Sequence, residues 1–202
     1  MSMILRPELD IECIKRITLA TSNILIQSLN KFLESEKIEN ITFCVKWPNN
    51  IMVDEKKIAS ILTESSVIDK RIEYVVVGIC INVNQEISRL NEDIQSEATS
   101  IYKETGREIS REKLIKQILM DFEAKYFYLE RTSYNTVIED WKKHCSQIGK
   151  LLLIETPLCV EHGYFVDIDD QGVLIYKDKS GELKKLIKGT IKLDKAINGI
   201  ND

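Results

Sequence analysis

Between residues 43 and 83 the chain reads FCVKWPNNIMVDEKKIASILTESSVIDKRIEYVVVGICINV. Three Val- and Ile-rich runs, 43–53, 58–63 and 74–83, are set apart by charged turns. Runs of this length and composition satisfy their backbone groups by pairing with one another, so the pattern predicts successive antiparallel strands. Lys46 and Lys57 interrupt otherwise apolar strand surface. An amine held there loses hydration unless an anion compensates it. Two readings stay open: the amines snorkel to solvent from a sheet edge, or they serve an anionic ligand.

The rest of the chain is large enough to support such a sheet. It has 202 residues, 44% of them hydrophobic, which gives room for one large and one small domain. The formal net charge is -4. Residues 141–202 hold 10 Lys and Arg against 9 Asp and Glu, the remainder 18 against 23, so neither part has the basic excess of a nucleic-acid binder. Five widely spaced cysteines with no CxxC pair indicate neither a disulfide framework nor a zinc site, and fit a reducing cytoplasm. No apolar run reaches the length of a membrane span, and residues 1–10 lack the apolar core of a signal peptide.

In chain order, MSMILRP reads as the end of a strand stopped by proline. Residues 10–32 carry Ile14, Ile17, Ile24, Leu25, Leu29 and Phe32 at helical spacing, with Asp10 a candidate cap. A charged connection follows at 34–39. Residues 85–105 are polar and weakly periodic, the pattern of a loop with a short helix. Ser110 opens a second helix whose stripe of Leu114, Ile115, Ile118, Leu119, Phe122, Tyr126 and Leu129 is expected in the core. Another helix covers 136–144. From Ile148-Gly149 the character changes to short strands at 151–154, 159–168, 173–177 and 184–191, with turn chemistry at 161–163, 169–172 and 179–181. The expected division is a domain at 1–146 with a mixed, mainly antiparallel sheet backed by helices (α/β, or α+β), then a small all-β barrel at 147–202.

Three ordered blocks carry a family resemblance. Lys46-Trp47-Pro48-Asn49-Asn50, Lys57-Ile58-Ala59-Ser60-Ile61-Leu62-Thr63-Glu64 and Val77-Gly78-Ile79-Cys80-Ile81-Asn82-Val83-Asn84 resemble the K-W-P-N-D, K-[IL]-x-G-I-L-x-E and G-I-G-I-N-x-N blocks of biotin protein ligases. Ala98-Thr99-Ser100 and the I-G-K, D-x-x-G-x-L and K-G-x-I-x-L elements of the C-terminal part extend the likeness over nearly the whole chain. The resemblance implies a class II synthetase-like catalytic domain followed by an SH3-like β-barrel. It implies ATP-dependent biotinylation of a carrier-protein lysine through biotinyl-5'-AMP, with biotin and ATP as substrates, Mg²⁺ arriving with ATP, and a biotin carboxyl carrier protein as partner. Lys57 matches the lysine that contacts the biotin carboxylate and the adenylate link, and Lys46 the lysine near the phosphoryl group. Trp47 and Pro48 shape the strand beside the pocket, Asn49 and Asn82 match asparagines near the nucleotide, and Gly78 lets backbone approach the ligand; Ile61 lies in the same block.

Departures from the family pattern set further expectations. Asn50 stands where the family has Asp, and Ser60 and Cys80 where it has Gly. The family's G-R-G-R-x-G-R segment would precede residues 1–7 and has no match, so the catalytic domain is expected to be N-terminally truncated. Weak biotin binding and impaired activity follow. The alternative is a non-catalytic ligase-like protein that binds a small ligand or a carrier protein. A helix-turn-helix domain like that of the family's repressors has no match here, and no nucleic-acid or membrane partner is expected. Homodimerisation through an exposed sheet edge is. Cys80 reads as a buried, inert thiol, and His144 and His162 as surface or packing residues, with no resident metal.

Overall fold

The computed structural model describes residues 1–8, 14–69, 71–129 and 134–194. The Val- and Ile-rich stretch forms one antiparallel sheet of strands β1 (Ser2–Leu5), β2 (Cys44–Lys46), β3 (Asn50–Val53), β4 (Lys56–Ile68) and β5 (Arg71–Ile81), in the order β1-β5-β4-β3-β2. The first apolar run is a hairpin, not a single strand. Lys46 pairs with Asn50, and the chain reverses through a cis Trp47–Pro48 peptide. Proline has no N–H to give to a ladder, so it marks the reversal. Asp54 and Glu55 both take positive φ, 44° and 65°, which is the two-residue turn whose twist suits the β3–β4 hairpin.

Helix α1 (Ile14–Ser35) lies across one face of this sheet. The proposed cap Asp10 falls outside the described residues. Ile17, Ile24, Leu25, Leu29 and Phe32 are buried as the periodicity predicts, but so are Leu19, Thr21, Ser22, Asn23, Ile26 and Ser28. The helix is enclosed by the sheet and by two further helices, and most of its buried polar side chains find hydrogen-bond partners, though the Asn23 side-chain oxygen has none. The Thr21, Ser22 and Ser28 hydroxyls donate to carbonyls four residues back, at 2.7, 3.0 and 2.9 Å, while the Asn23 amide donates to the Val137 carbonyl at 2.9 Å. At the C-terminal end Lys37 takes φ 56° and the Ile38 N–H returns to the Leu33 carbonyl, closing the helix in a Schellman turn without glycine.

The segment 85–105 is more helical than its weak periodicity suggests. A 3₁₀ turn at Ile87–Arg89 leads into α2 (Glu92–Glu97) and α3 (Ile101–Thr105), capped by Ser100. Helix α4 (Arg111–Leu129) begins at Ser110, whose hydroxyl accepts the Lys113 N–H, and α5 (Tyr134–His144) follows. Leu114, Ile118 and Phe122 are buried, whereas Ile115 and Leu119 are 40% and 43% exposed. Only one side of α4 meets α1; the other faces a groove beside β1.

Beyond Lys150 a second antiparallel sheet has the order β10-β6-β7-β8-β9, from β6 (Leu151–Glu155), β7 (Val160–Ile168), β8 (Leu174–Asp178), β9 (Leu183–Leu186) and β10 (Thr190–Leu193). The run at 184–191 is split into two strands. Residues 161–163 do not turn; they belong to β7, and a Cβ on Gly163 would stand 2.4 Å from the Tyr176 ring. That glycine is required by a crossing side chain. A single apolar core runs through both sheets, and the Trp47 indole N–H donates to the Gly172 carbonyl at 3.0 Å. No helix among the described residues is long and apolar enough to cross a membrane.

Candidate functional site

Strand pairing fixes which side chains share a face. Lys46 is opposite Asn50, Asn50 opposite Ser60, and Ser60 opposite Cys80, which gives one row across four strands. Directly paired residues point the same way. The alternate positions Val45, Ile51, Ala59, Ile61, Val77 and Ile79 are buried on the α1 side, so the row stands on the opposite, open face. Gly78 and Asn82 share it by alternation along β5 and its extension.

Simple alternation would put Lys57 on the core face, three residues from Ser60. A β-bulge prevents this: Ile51 pairs with Ala59 but Met52 pairs with Lys57, leaving Ile58 without a partner on β3. The bulge re-aims the strand, so that Ile58 and Ala59 are both buried and Lys57 joins Lys46 on the open face. The next loop then fastens Lys57. The Thr99 N–H donates to the Lys57 carbonyl at 3.0 Å, and Asn82 donates its side-chain amide to the Thr99 carbonyl at 2.9 Å. Thr99 in turn donates to Glu104, and the Ser100 hydroxyl to the Gln85 carbonyl at 2.6 Å.

Not every residue singled out from the sequence reaches this face. Ile61 is 1% exposed in the core, and Asn49 clamps its carbonyl through a 2.8 Å bond. Trp47 is also in the core, tied to the second sheet, and Pro48 is exposed at the hairpin turn. Asn49 and Asn82 thus each use a side-chain donor to hold backbone in place. Cys80, expected to be buried, is exposed, because residues 78, 80 and 82 alternate away from the core. A Cβ on Gly78 would make only ordinary contacts, 3.6 Å from the Leu62 carbonyl, so nothing in the chain demands glycine there.

Lys46 is half-buried and its pKa is lowered, first by burial; Glu97 and Glu55 oppose the shift, while Lys192 and Lys57 add to it. The sequence motifs did not reveal that the charges of Glu55, Glu97 and Lys192 act on Lys46. Lys57 is exposed. An incompletely hydrated amine, a second amine, a hydroxyl and an amide on one open face can together take up an anionic ligand with a polar body. Among the described residues no group of three or more His, Cys, Asp or Glu is placed to hold a metal ion.

Residues 1–82 match the Biotin/lipoate A/B protein ligase family. The bifunctional ligase/repressor BirA of Bacillus subtilis is 31% identical over 193 residues, 96% of this chain and 57% of the relative. The biotin–[acetyl-CoA-carboxylase] ligase of Paracoccus denitrificans is 27% identical over 138 residues, 68% of this chain and 58% of the relative. The chain therefore spans a little over half the length of these curated relatives. Among solved structures, the apo biotin protein ligase of Aquifex aeolicus superimposes with a TM-score of 0.80 at 22% identity, covering 96% of this chain and 81% of that one. The same ligase in complex with biotin and ATP gives 0.76 at 23% identity, covering 95% and 76%. These structural likenesses concern the fold.

Proposed function

The chain belongs to the biotin protein ligase family, and from that premise we propose that its open sheet face binds biotin and ATP and serves the transfer of biotin to a carrier-protein lysine. The observation that supports this most is the bulge-enabled meeting of Lys57 with the row Lys46–Asn50–Ser60–Cys80. A biotin carboxylate oxygen attacks the α-phosphorus of ATP, a P–O bond breaks, and pyrophosphate leaves. The acceptor amine then attacks the acyl carbon of biotinyl-adenylate, loses a proton and expels AMP. Both steps pass charge through phosphate and carboxylate oxygens, so fixed cations are the main aid that a protein can give.

In this reading Lys57, its backbone held by Thr99, faces the carboxylate and the adenylate link, and Lys46 faces the phosphoryl group. Mg²⁺ enters as the counter-ion of ATP. Asn50 offers an amide where an acid would attract a metal or an incoming amine, and the Ser60 and Cys80 side chains stand up from the floor; these features weaken biotin binding. The acceptor is a carboxyl carrier domain, and two copies of the chain pair through the outer edge of β1.

Titration calorimetry with biotin, ATP and biotinyl-adenylate, together with pyrophosphate release from biotin and ATP, tests the proposal. Saturable adenylate binding with measurable pyrophosphate supports a ligase. Adenylate binding without pyrophosphate favours the non-catalytic, ligand-binding alternative. Absence of binding to all three at millimolar concentration removes the assignment of this face.

A further inference from the structure

We propose that a cavity on the α1 side of the first sheet, away from the lysine face, binds a small carboxylate with an apolar body. The cavity has a volume of about 240 Å³ and lies where α1, the β2–β3 turn and two turns of the second sheet meet. Direct contacts hold these parts together. The Trp47 indole N–H in the β2–β3 turn donates to the carbonyl of Gly172, in the β7–β8 turn, at 3.0 Å. A Cβ on Gly172 would stand 2.9 Å from the Leu19 side chain of α1, so the same turn is pressed against the helix as well. The β9–β10 turn closes the remaining side with Ile187 and Lys188. The inference goes beyond the proposed function and does not rest on it.

The cavity is apolar inside and cationic at its mouth. Leu19 and Trp47 are buried and form the inner wall, with Pro48 beside them and Ile187, 73% exposed, at the rim. Lys15 and Lys188 supply the charge. Both are exposed, and neither has an ion-pair or hydrogen-bond partner among the described residues. By contrast Lys31, Lys142, Lys143, Lys184 and Lys185 each lie within 3.1 Å of a carboxylate. No Asp or Glu among the described residues lines the cavity, so its two ammonium groups have no counter-charge there. The Thr18 hydroxyl also lines it, but its proton goes to the Thr63 hydroxyl at 2.8 Å, which leaves the amines to hold the ligand's head group. A bare inorganic anion gains nothing from the apolar wall, whereas an amphipathic one buries its body against the indole. At about 30 Å³ per water-sized group the interior takes roughly eight non-hydrogen atoms. That suits a short aryl-alkyl carboxylate, its ring and methylenes inside and its carboxylate between Lys15 and Lys188.

The test titrates the full chain with 3-phenylpropionate, its neutral amide and inorganic phosphate, and reads tryptophan fluorescence. Trp141, the second tryptophan, is fully buried, so a change reports on Trp47. Saturable binding of 3-phenylpropionate is expected with a Kd on the order of 1 mM, and the amide is expected to bind at least about fivefold more weakly. Lys15→Ala and Lys188→Ala are each expected to weaken the carboxylate about two- to fivefold, and the double variant about tenfold, at an unchanged thermal midpoint. Lys116→Ala, an equal charge change at the groove beside β1, is expected to have no effect. No saturable change, equal affinity for the amide, full affinity in the double variant, an equal loss in Lys116→Ala, or displacement by phosphate at equal concentration overturns the inference.

Discussion

Replacing Lys46 by alanine removes a half-buried amine from a face where few other groups can neutralise a phosphoryl oxygen. Charge-assisted contacts of this kind are worth about 1.5–3 kcal/mol, so biotinyl-adenylate affinity is expected to fall at least about tenfold, measured by titration calorimetry. Lys57→Ala is expected to cost less, about 1 kcal/mol, because its amine is exposed. Cys80 gives a chemical check on the same face. Its exposed thiol is expected to react with a maleimide in the native protein and to be protected by biotinyl-adenylate, whereas a buried thiol would react only on unfolding. The motifs singled out Lys46, Lys57, Ser60 and Cys80, and strand pairing with the bulge brings them to one face. They did not reveal Cys80's exposure, since β5 is apolar on both faces and hides its own alternation. Nor could they reveal the bulge, because only pairing partners show that Ile58 is the extra residue.

Elements were legible where their pattern had one plausible partner and less so where it had several. The strands of the first sheet and the helices α1, α4 and α5 follow from apolar spacing, but the hairpin inside 43–53 and the split at 187–189 depend on turn geometry. Helix α1 was expected to bury a stripe; enclosure on several sides buries most of it. One consequence is the tie to α4, where Lys31 and Gln117 reach Asp121 at 2.6 and 2.9 Å. Burial pushes the Asp121 carboxyl up, but the hydrogen bonds from Lys31 and Gln117 outweigh it and hold its pKa below the usual 3.8. A depressed carboxylate pKa contributes stability that is present above pH 3.8 and is lost as pH falls through the folded-state value. Asp121→Asn is therefore expected to lower urea stability by about 1–2 kcal/mol at neutral pH, with the difference from the parent narrowing in acid. In the second sheet, Gly163→Ala drives a methyl into the Tyr176 ring and is expected to destabilise by about 1–3 kcal/mol, read from the thermal midpoint.

At the scale of the molecule, the two sheets share one core. A separate open groove of about 690 Å³ lies between β1 and α4, lined by Met3, Leu5, Ile115, Leu119 and Met120. An apolar surface of that kind is expected to bind a fluorescent hydrophobic dye, and Leu119→Glu to reduce the signal without lowering the thermal midpoint. The lysine face remains the centre of the account, and calorimetric titration of biotinyl-adenylate into the parent chain and into the Lys46→Ala, Lys57→Ala double variant tests it most directly. Saturable binding by the parent, weakened on the order of 100-fold in a double variant that melts at the parent's temperature, is the predicted result. Equal affinity in the two proteins would contradict it.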